Sequence, residues 1–143
     1  MTPRSYLIPS GAVGLSLLSA CTPTIAGDWE LSDWTIDGYQ LDLQYNFAGY
    51  YYYYTASHDI AMSIDKDLTG DFSWDINIDG YGTYASYSGD VTAEKINGVT
   101  FNVLIDVNSD ELDLECVVDG LSLACDGESD DGTDHEMDWD YAG

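Results

Sequence analysis

The chain has 143 residues, enough for one domain, and sets 27 Asp and Glu against 3 Lys and Arg, a formal net charge of −24. That balance excludes nucleic acid as a partner, since binding it needs basic side chains that displace phosphate counterions, and it opposes contact between the domain and anionic membrane surfaces. Hydrophobic residues at 45%, with twelve Tyr and four Trp, exclude the disorder that such acidity otherwise marks.

The chain opens with one basic residue, Arg4, then a mostly apolar stretch from Tyr6 to Leu18, then the small residues Ser19 and Ala20 before Cys21. This is the pattern of a secretory signal, too short and too interrupted for a spanning helix. Leu18-Ser19-Ala20-Cys21 resembles the bacterial lipobox. The resemblance implies a diacylglyceryl group on Cys21, cleavage before it and acylation of the new amino terminus, giving several chains to hold the protein in a lipid bilayer. Thr22 after the cysteine, rather than Asp, points by the same resemblance to the outer membrane. An ordinary secreted protein with an incidental Cys21 is the alternative. The expected organisation is a signal peptide over 1–20, a lipidated tether over 21–26 and a single exported β domain over 27–143. Removing the signal takes Arg4 with it and leaves two lysines against 27 acids, a net charge of −25.

Period-two alternation dominates from Asp28 onward, the signature of strands with one buried face. Strands are predicted at 28–36, 50–56, 58–65 and 83–96. Trp29 and Leu31 have opposite parity to Trp34 and Ile36, which predicts a bulge near Ser32-Asp33. More regular alternation places Tyr39, Leu41, Leu43, Tyr45 and Phe47 on one face, Phe72 to Ile78 on another, and then Val99 to Ile105, Leu112 to Val118 and His135 to Tyr141. Turn signals recur at Asp37-Gly38, Thr69-Gly70, Asp79-Gly80, Gly89-Asp90, Asn97-Gly98, Asp119-Gly120 and Asp131-Gly132. The fold class is all-β, an antiparallel barrel of eight to ten strands or, less favoured, a sandwich; closure removes the edges that so many strands would otherwise expose.

One hairpin can be argued to register. Its apolar face uses even positions up to Val118 and odd positions from Leu121, so opposed residues sum to an odd number. A two-residue Asp119-Gly120 turn sets Cys116 diagonal to Cys125; a loop over 119–122 sets them directly opposite, which suits disulfide geometry better. The expected bond is Cys116–Cys125, which leaves Cys21 for the lipid. In the preceding hairpin, Ile105 opposes Leu112, Val103 opposes Leu114 and Phe101 opposes Cys116, around a tight turn at Asn108-Ser109.

Gly27-Asp28-Trp29, at the start of the first predicted strand, resembles the Gly-x-Trp motif of lipocalin and calycin barrels. The resemblance implies an eight-stranded up-and-down barrel, a Trp that closes one end, and an internal site for a small apolar ligand. It also implies an Arg packed over that Trp from the last strand, which His135 to Tyr141 does not contain.

The candidate sites are of two kinds. Tyr50, Tyr52 and Tyr54, from a run of five tyrosines, are read with Trp29, Trp74 and Tyr84 as aromatic ligand contacts, and Tyr81 and Tyr87 join the same candidate binding surface. Asp106, Asn108 and Asp110 in one turn, and Asp126, Asp130 and Asp131 in another, carry oxygens that could converge on calcium, though a solvated acidic loop carries the same residues. Asp65, Asp67 and Asp71 form a similar turn, and Asp75 to Gly80 resembles half a calcium loop but reads as strand plus turn. His58 and His135 have no nucleophile motif beside them, so no catalytic residues and no cofactor beyond calcium are expected. The sequence therefore points to a lipid-anchored, non-enzymatic module that binds a small apolar ligand or a protein partner. The alternative is a structural, calcium-stabilised surface protein. The outward placement of the acids also resembles proteins of saline habitats, where salt screens their repulsion.

Overall fold

The computed structural model describes residues 24–143; the expected signal peptide and Cys21 lie outside the described residues. Ten strands follow one another: β1 Gly27–Ile36, β2 Tyr39–Gln40, β3 Gln44–Ala48, β4 Tyr53–Ile64, β5 Thr69–Ile78, β6 Gly82–Lys95, β7 Thr100–Val107, β8 Asp110–Asp119, β9 Ser122–Ser129 and β10 Asp134–Tyr141. From β4 to β10 each strand pairs antiparallel with the next, and β10 pairs with β1. The ring closes where Gly27–Glu30 of β1 lies against Ala61–Ile64 of β4. Eight strands thus form a closed up-and-down barrel, and the sandwich is excluded. Strands β2 and β3 extend β1 and β4 beyond the point where those two part.

The seam between the parted halves of β1 and β4 is covered by residues 41–43. The Leu41 N–H donates to the Trp34 carbonyl and the His58 N–H donates to the Leu43 carbonyl, both at 2.7 Å. Here the expected single strand over 39–47 is broken in two. Leu41 and Leu43 turn toward the core, while Tyr39, Tyr45 and Phe47, expected on the same buried face, are exposed. Two expected turns, Thr69-Gly70 and Gly89-Asp90, instead lie inside β5 and β6. The physical reason is close approach rather than chain reversal. A Cβ on Gly70 would run into the Ser63 carbonyl, and one on Gly89 into the Asp106 carbonyl. Each glycine lets a strand bend sharply over its neighbour, as barrel curvature demands.

Elsewhere the register follows the parity argument. Asn108 and Ser109, both at positive φ, turn β7 into β8, with Ile105 opposite Leu112, Val103 opposite Leu114 and Phe101 opposite Cys116. Cys116 opposes Cys125 and the two are bonded, with S–S 2.04 Å; Asp119 pairs with Ser122, leaving Gly120-Leu121 as the turn. The bulge in β1 falls at Ser32, which has no partner between Asp33–Asp138 and Leu31–Trp139.

The two barrel ends differ. At the end where β1 begins, Trp29, Trp139, Met62, Phe101 and Leu123 fill the interior, with Ile25 buried beneath them. The Trp29 indole N–H donates to the Ile25 carbonyl at 2.9 Å, so the last residues of the expected tether belong to the barrel floor. Among the described residues there is no arginine to pack on Trp29; Tyr141 meets it edge to face at 5.4 Å between ring centres. That ring occupies the space a Gly27 side chain would need. The Gly-x-Trp pattern is thus explained locally: the glycine admits the tyrosine and the tryptophan closes the end.

Candidate functional site

At the opposite end the interior is not filled. The last inward positions there are Trp34 and Ile36 on β1, Trp74 and Ile76 on β5, Tyr87 on β6, Val107 on β7, Leu112 on β8, Ser129 on β9 and His135 on β10. They surround a cavity of about 560 Å³, with Phe72 below and Asn108, Asp110, Asp131 and Thr133 around its rim. This volume lies within the range of small-molecule sites, and the wall has the usual composition of apolar and aromatic surface with a few placed polar groups.

Two histidine–tryptophan pairs brace the wall. The Trp34 indole N–H donates to His135 Nδ1 at 3.0 Å, and the Trp74 indole N–H donates to His58 Nδ1 at 2.8 Å. An indole nitrogen can only donate, so both Nδ1 atoms are unprotonated and both rings are neutral with the proton on Nε2. Burial lowers the pKa of His58 and is the largest influence on His135, where it outweighs the opposing pull of Asp131, Asp37 and Asp134. His135 Nε2 lies 3.2 Å from Ser129 Oγ, and the Ser129 hydroxyl donates to Asp131 Oδ1 at 2.6 Å. The same oxygen accepts the Thr133 N–H at 3.0 Å. These bonds, those of Ser129 and Thr133 foremost, hold the Asp131 carboxyl at a pKa of about 2. The two tryptophans meet edge to face at 5.3 Å, and Trp74 continues the stack to Tyr87 at 5.5 Å.

The aromatic residues singled out from the sequence divide among three places. Trp74 lines the cavity. Trp29 is buried at the closed end and does not. The tyrosine run forms no continuous strand: Gly49 to Tyr52 make the turn between β3 and β4, its Gly49 N–H donating to the Tyr52 carbonyl at 2.7 Å, and Tyr50 stands 91% exposed. Tyr52 shares that turn; Tyr54, the second residue of β4, meets the Tyr81 hydroxyl at 3.1 Å with its own; Tyr84 is exposed on β6. The strand expected over 50–56 therefore starts only at Tyr53, because the β3–β4 turn takes up the first three of the five tyrosines.

The acidic turns fare differently from the metal expectation. Asn108, Asp110 and Asp131 stand on the cavity rim. Asp130 Oδ2 accepts the Glu111 N–H at 3.2 Å, which ties the β9–β10 turn to the start of β8. Asp106 and Asp126 point outward from β7 and β9. Asp67 is engaged by the Thr69 hydroxyl and N–H, and Asp75 by the Ser86 hydroxyl. Among the described residues no group of three or more His, Cys, Asp or Glu side chains converges to hold a metal ion.

Trp34 and His135 were not picked out as site residues from the sequence, whereas Tyr87, grouped there with the tyrosine run, does line the cavity. The available signal was positional: each is among the last inward residues at the open end of its strand. Trp34 is inward only because the Ser32 bulge reverses the parity of β1.

The geometry defines a class: a closed antiparallel barrel, filled at one end and hollow at the other. Among solved structures it is similar to a redesigned β-barrel, at TM-score 0.54 and 15% identity over 87% of this chain and 95% of that one. It is also similar to a de novo designed fluorescence-activating β-barrel, at TM-score 0.50 and 9% identity over 82% and 94% of the two chains. Likeness at such identities is a likeness of fold. No family model matches the chain, and no curated protein matches it.

Proposed function

We propose that the protein is a non-enzymatic binding module that takes a small ligand with an apolar body into the open end of the barrel. The observation that carries this reading is the cavity of about 560 Å³ walled by Trp34, Trp74 and Tyr87 in a barrel whose other half is tightly filled. A protein that needed only a stable core would close both ends, since unfilled interior volume forfeits packing contacts. The neutral histidines each accept a tryptophan N–H at Nδ1 and so hold the indole edges in place, which preorganises the wall. The lipobox-like segment supports a setting for this activity, an exported domain tethered to a membrane through Cys21, at the surface of the cell or within its envelope.

Titration with an uncharged aminonaphthalene dye whose emission shifts in apolar surroundings tests the reading. One dye should bind per barrel. Val107→Trp, which places an indole in the cavity, should abolish binding while leaving the thermal transition in place. Equal dye binding by that variant and the parent would overturn the assignment of the cavity. A second variant, Tyr50→Ser/Tyr52→Ser, should bind as the parent does; loss of binding there would move the site to the exposed turn.

A further inference from the structure

Accepting that reading of the cavity, we propose that its ligand is a small organic cation: an apolar or aromatic body bearing an ammonium, amidinium or guanidinium group, its ring among the tryptophans and its charge at the rim beside Asp110 and Asp131.

Four features of the fold converge on this chemistry. The first is the pairing of surfaces. Tyr87 and the Trp34–Trp74 pair line the cavity, and Asp110 and Asp131 stand on its rim. Aromatic faces attract cations through their quadrupoles, most strongly where water is partly excluded, and a carboxylate within reach adds a charge-assisted hydrogen bond. The second is rigidity. The Asp130–Glu111 bond holds the turns that carry Asp110 and Asp131 side by side, and the Asp131 carboxylate is fixed by Ser129 and Thr133.

The third feature is the absence of any positive group near the mouth among the described residues. The only lysines there are Lys66, in the turn between β4 and β5, and Lys95, at the end of β6. Both turns are at the closed end, where β4 finishes against the start of β1. The histidines of the wall add no charge, since each accepts an indole hydrogen at Nδ1. An anionic ligand would therefore meet carboxylates with nothing to offset them, whereas a neutral one would leave the rim charges unused. The fourth is the field of the whole molecule. A net charge of −24 on a chain this small raises the local concentration of cations around it, and at the open end that field meets an apolar recess.

Three naphthalenes of nearly equal size separate the terms: naphthylmethyl-trimethylammonium, naphthylmethanol and naphthoate. Calorimetry at pH 7.5 and low salt should rank them cation, neutral, anion, with the cation about tenfold tighter than the alcohol, as one ring face and one carboxylate at a partly hydrated site would give. Asp110→Asn/Asp131→Asn keeps the hydrogen bonds to Ser129 and Thr133 and should remove most of that preference. Glu30→Gln/Asp140→Asn, a cross-strand pair of exposed acids at the closed end, lowers the net charge equally and should remove little of it. Equal affinity for cation and alcohol overturns the charge assignment and leaves the apolar site standing. A preference lost equally in both variants overturns the placement at the rim in favour of the general field. Failure of all three compounds to bind overturns the cavity reading itself.

Discussion

At the level of single residues, the decisive feature is the state of His58 and His135. Both are held neutral by burial and by an indole hydrogen on Nδ1, so their folded pKa values lie below the ordinary 6.5. The sign of the resulting pH dependence is fixed. Above about 6.5 the rings are neutral in the folded and unfolded chains alike, and the contribution to stability is complete. As pH falls through 6.5 the unfolded chain takes up protons that the folded one resists, and stability declines. The melting temperature should therefore fall between pH 7 and the upper carboxylate range, and substituting both histidines with Gln should flatten that decline. A melting temperature that stays constant or rises on acidification to pH 5.5 would show that the indole–imidazole bonds do not hold the rings neutral. Ligand affinity should weaken over the same interval, since protonated Nδ1 can no longer accept the tryptophan N–H that sets the wall.

At the level of strands, the arrangement of acids is more regular than composition suggests. Asp71, Asp90, Asp106 and Glu111 oppose one another in succession across β5, β6, β7 and β8. Like charges directly opposite on neighbouring strands are destabilising, by roughly 0.2–1 kcal/mol a pair. Asp90 faces two of them, so Asp90→Asn should stabilise the barrel by about 1 kcal/mol at low salt, measured by chemical denaturation, and by less in molar NaCl. Destabilisation at low salt would mean that the row is held by something other than repulsion offset elsewhere. The same strands show what a sequence can and cannot disclose. Period-two patterning and parity placed β7 to β10 and the Cys116–Cys125 bond, because those elements are long, adjacent and buried on one face. The pattern misplaced Tyr39 to Phe47 and the tyrosine run, which sit where β1 and β4 separate and no second layer sets the register. It took Gly70 and Gly89 for turns because a glycine needed for close approach is indistinguishable, in one sequence, from one needed for reversal. Most of the cavity wall was invisible for a related reason: Trp34 and His135 are brought together by barrel closure across 101 positions of sequence.

For the molecule as a whole, two properties oppose each other. The interior is anchored by a filled floor and a disulfide whose short loop contributes about 2–3 kcal/mol, while the exterior carries nearly all of the −24 net charge. Screening relieves the second without touching the first, so the melting temperature should climb as NaCl is raised from millimolar to molar. A flat profile would contradict the view that surface repulsion limits stability. The central claim, that the open end and not the tyrosine turn or the closed end receives the ligand, can be read from the four tryptophans directly. Two of them, Trp34 and Trp74, line the cavity, and two, Trp29 and Trp139, lie in the closed half. Proton–nitrogen correlation spectra of the indole N–H groups, recorded as the uncharged naphthalene dye is added, should show the Trp34 and Trp74 signals moving to saturation together while those of Trp29 and Trp139 stay in place. Saturation by the dye with Trp34 and Trp74 unmoved would contradict the account.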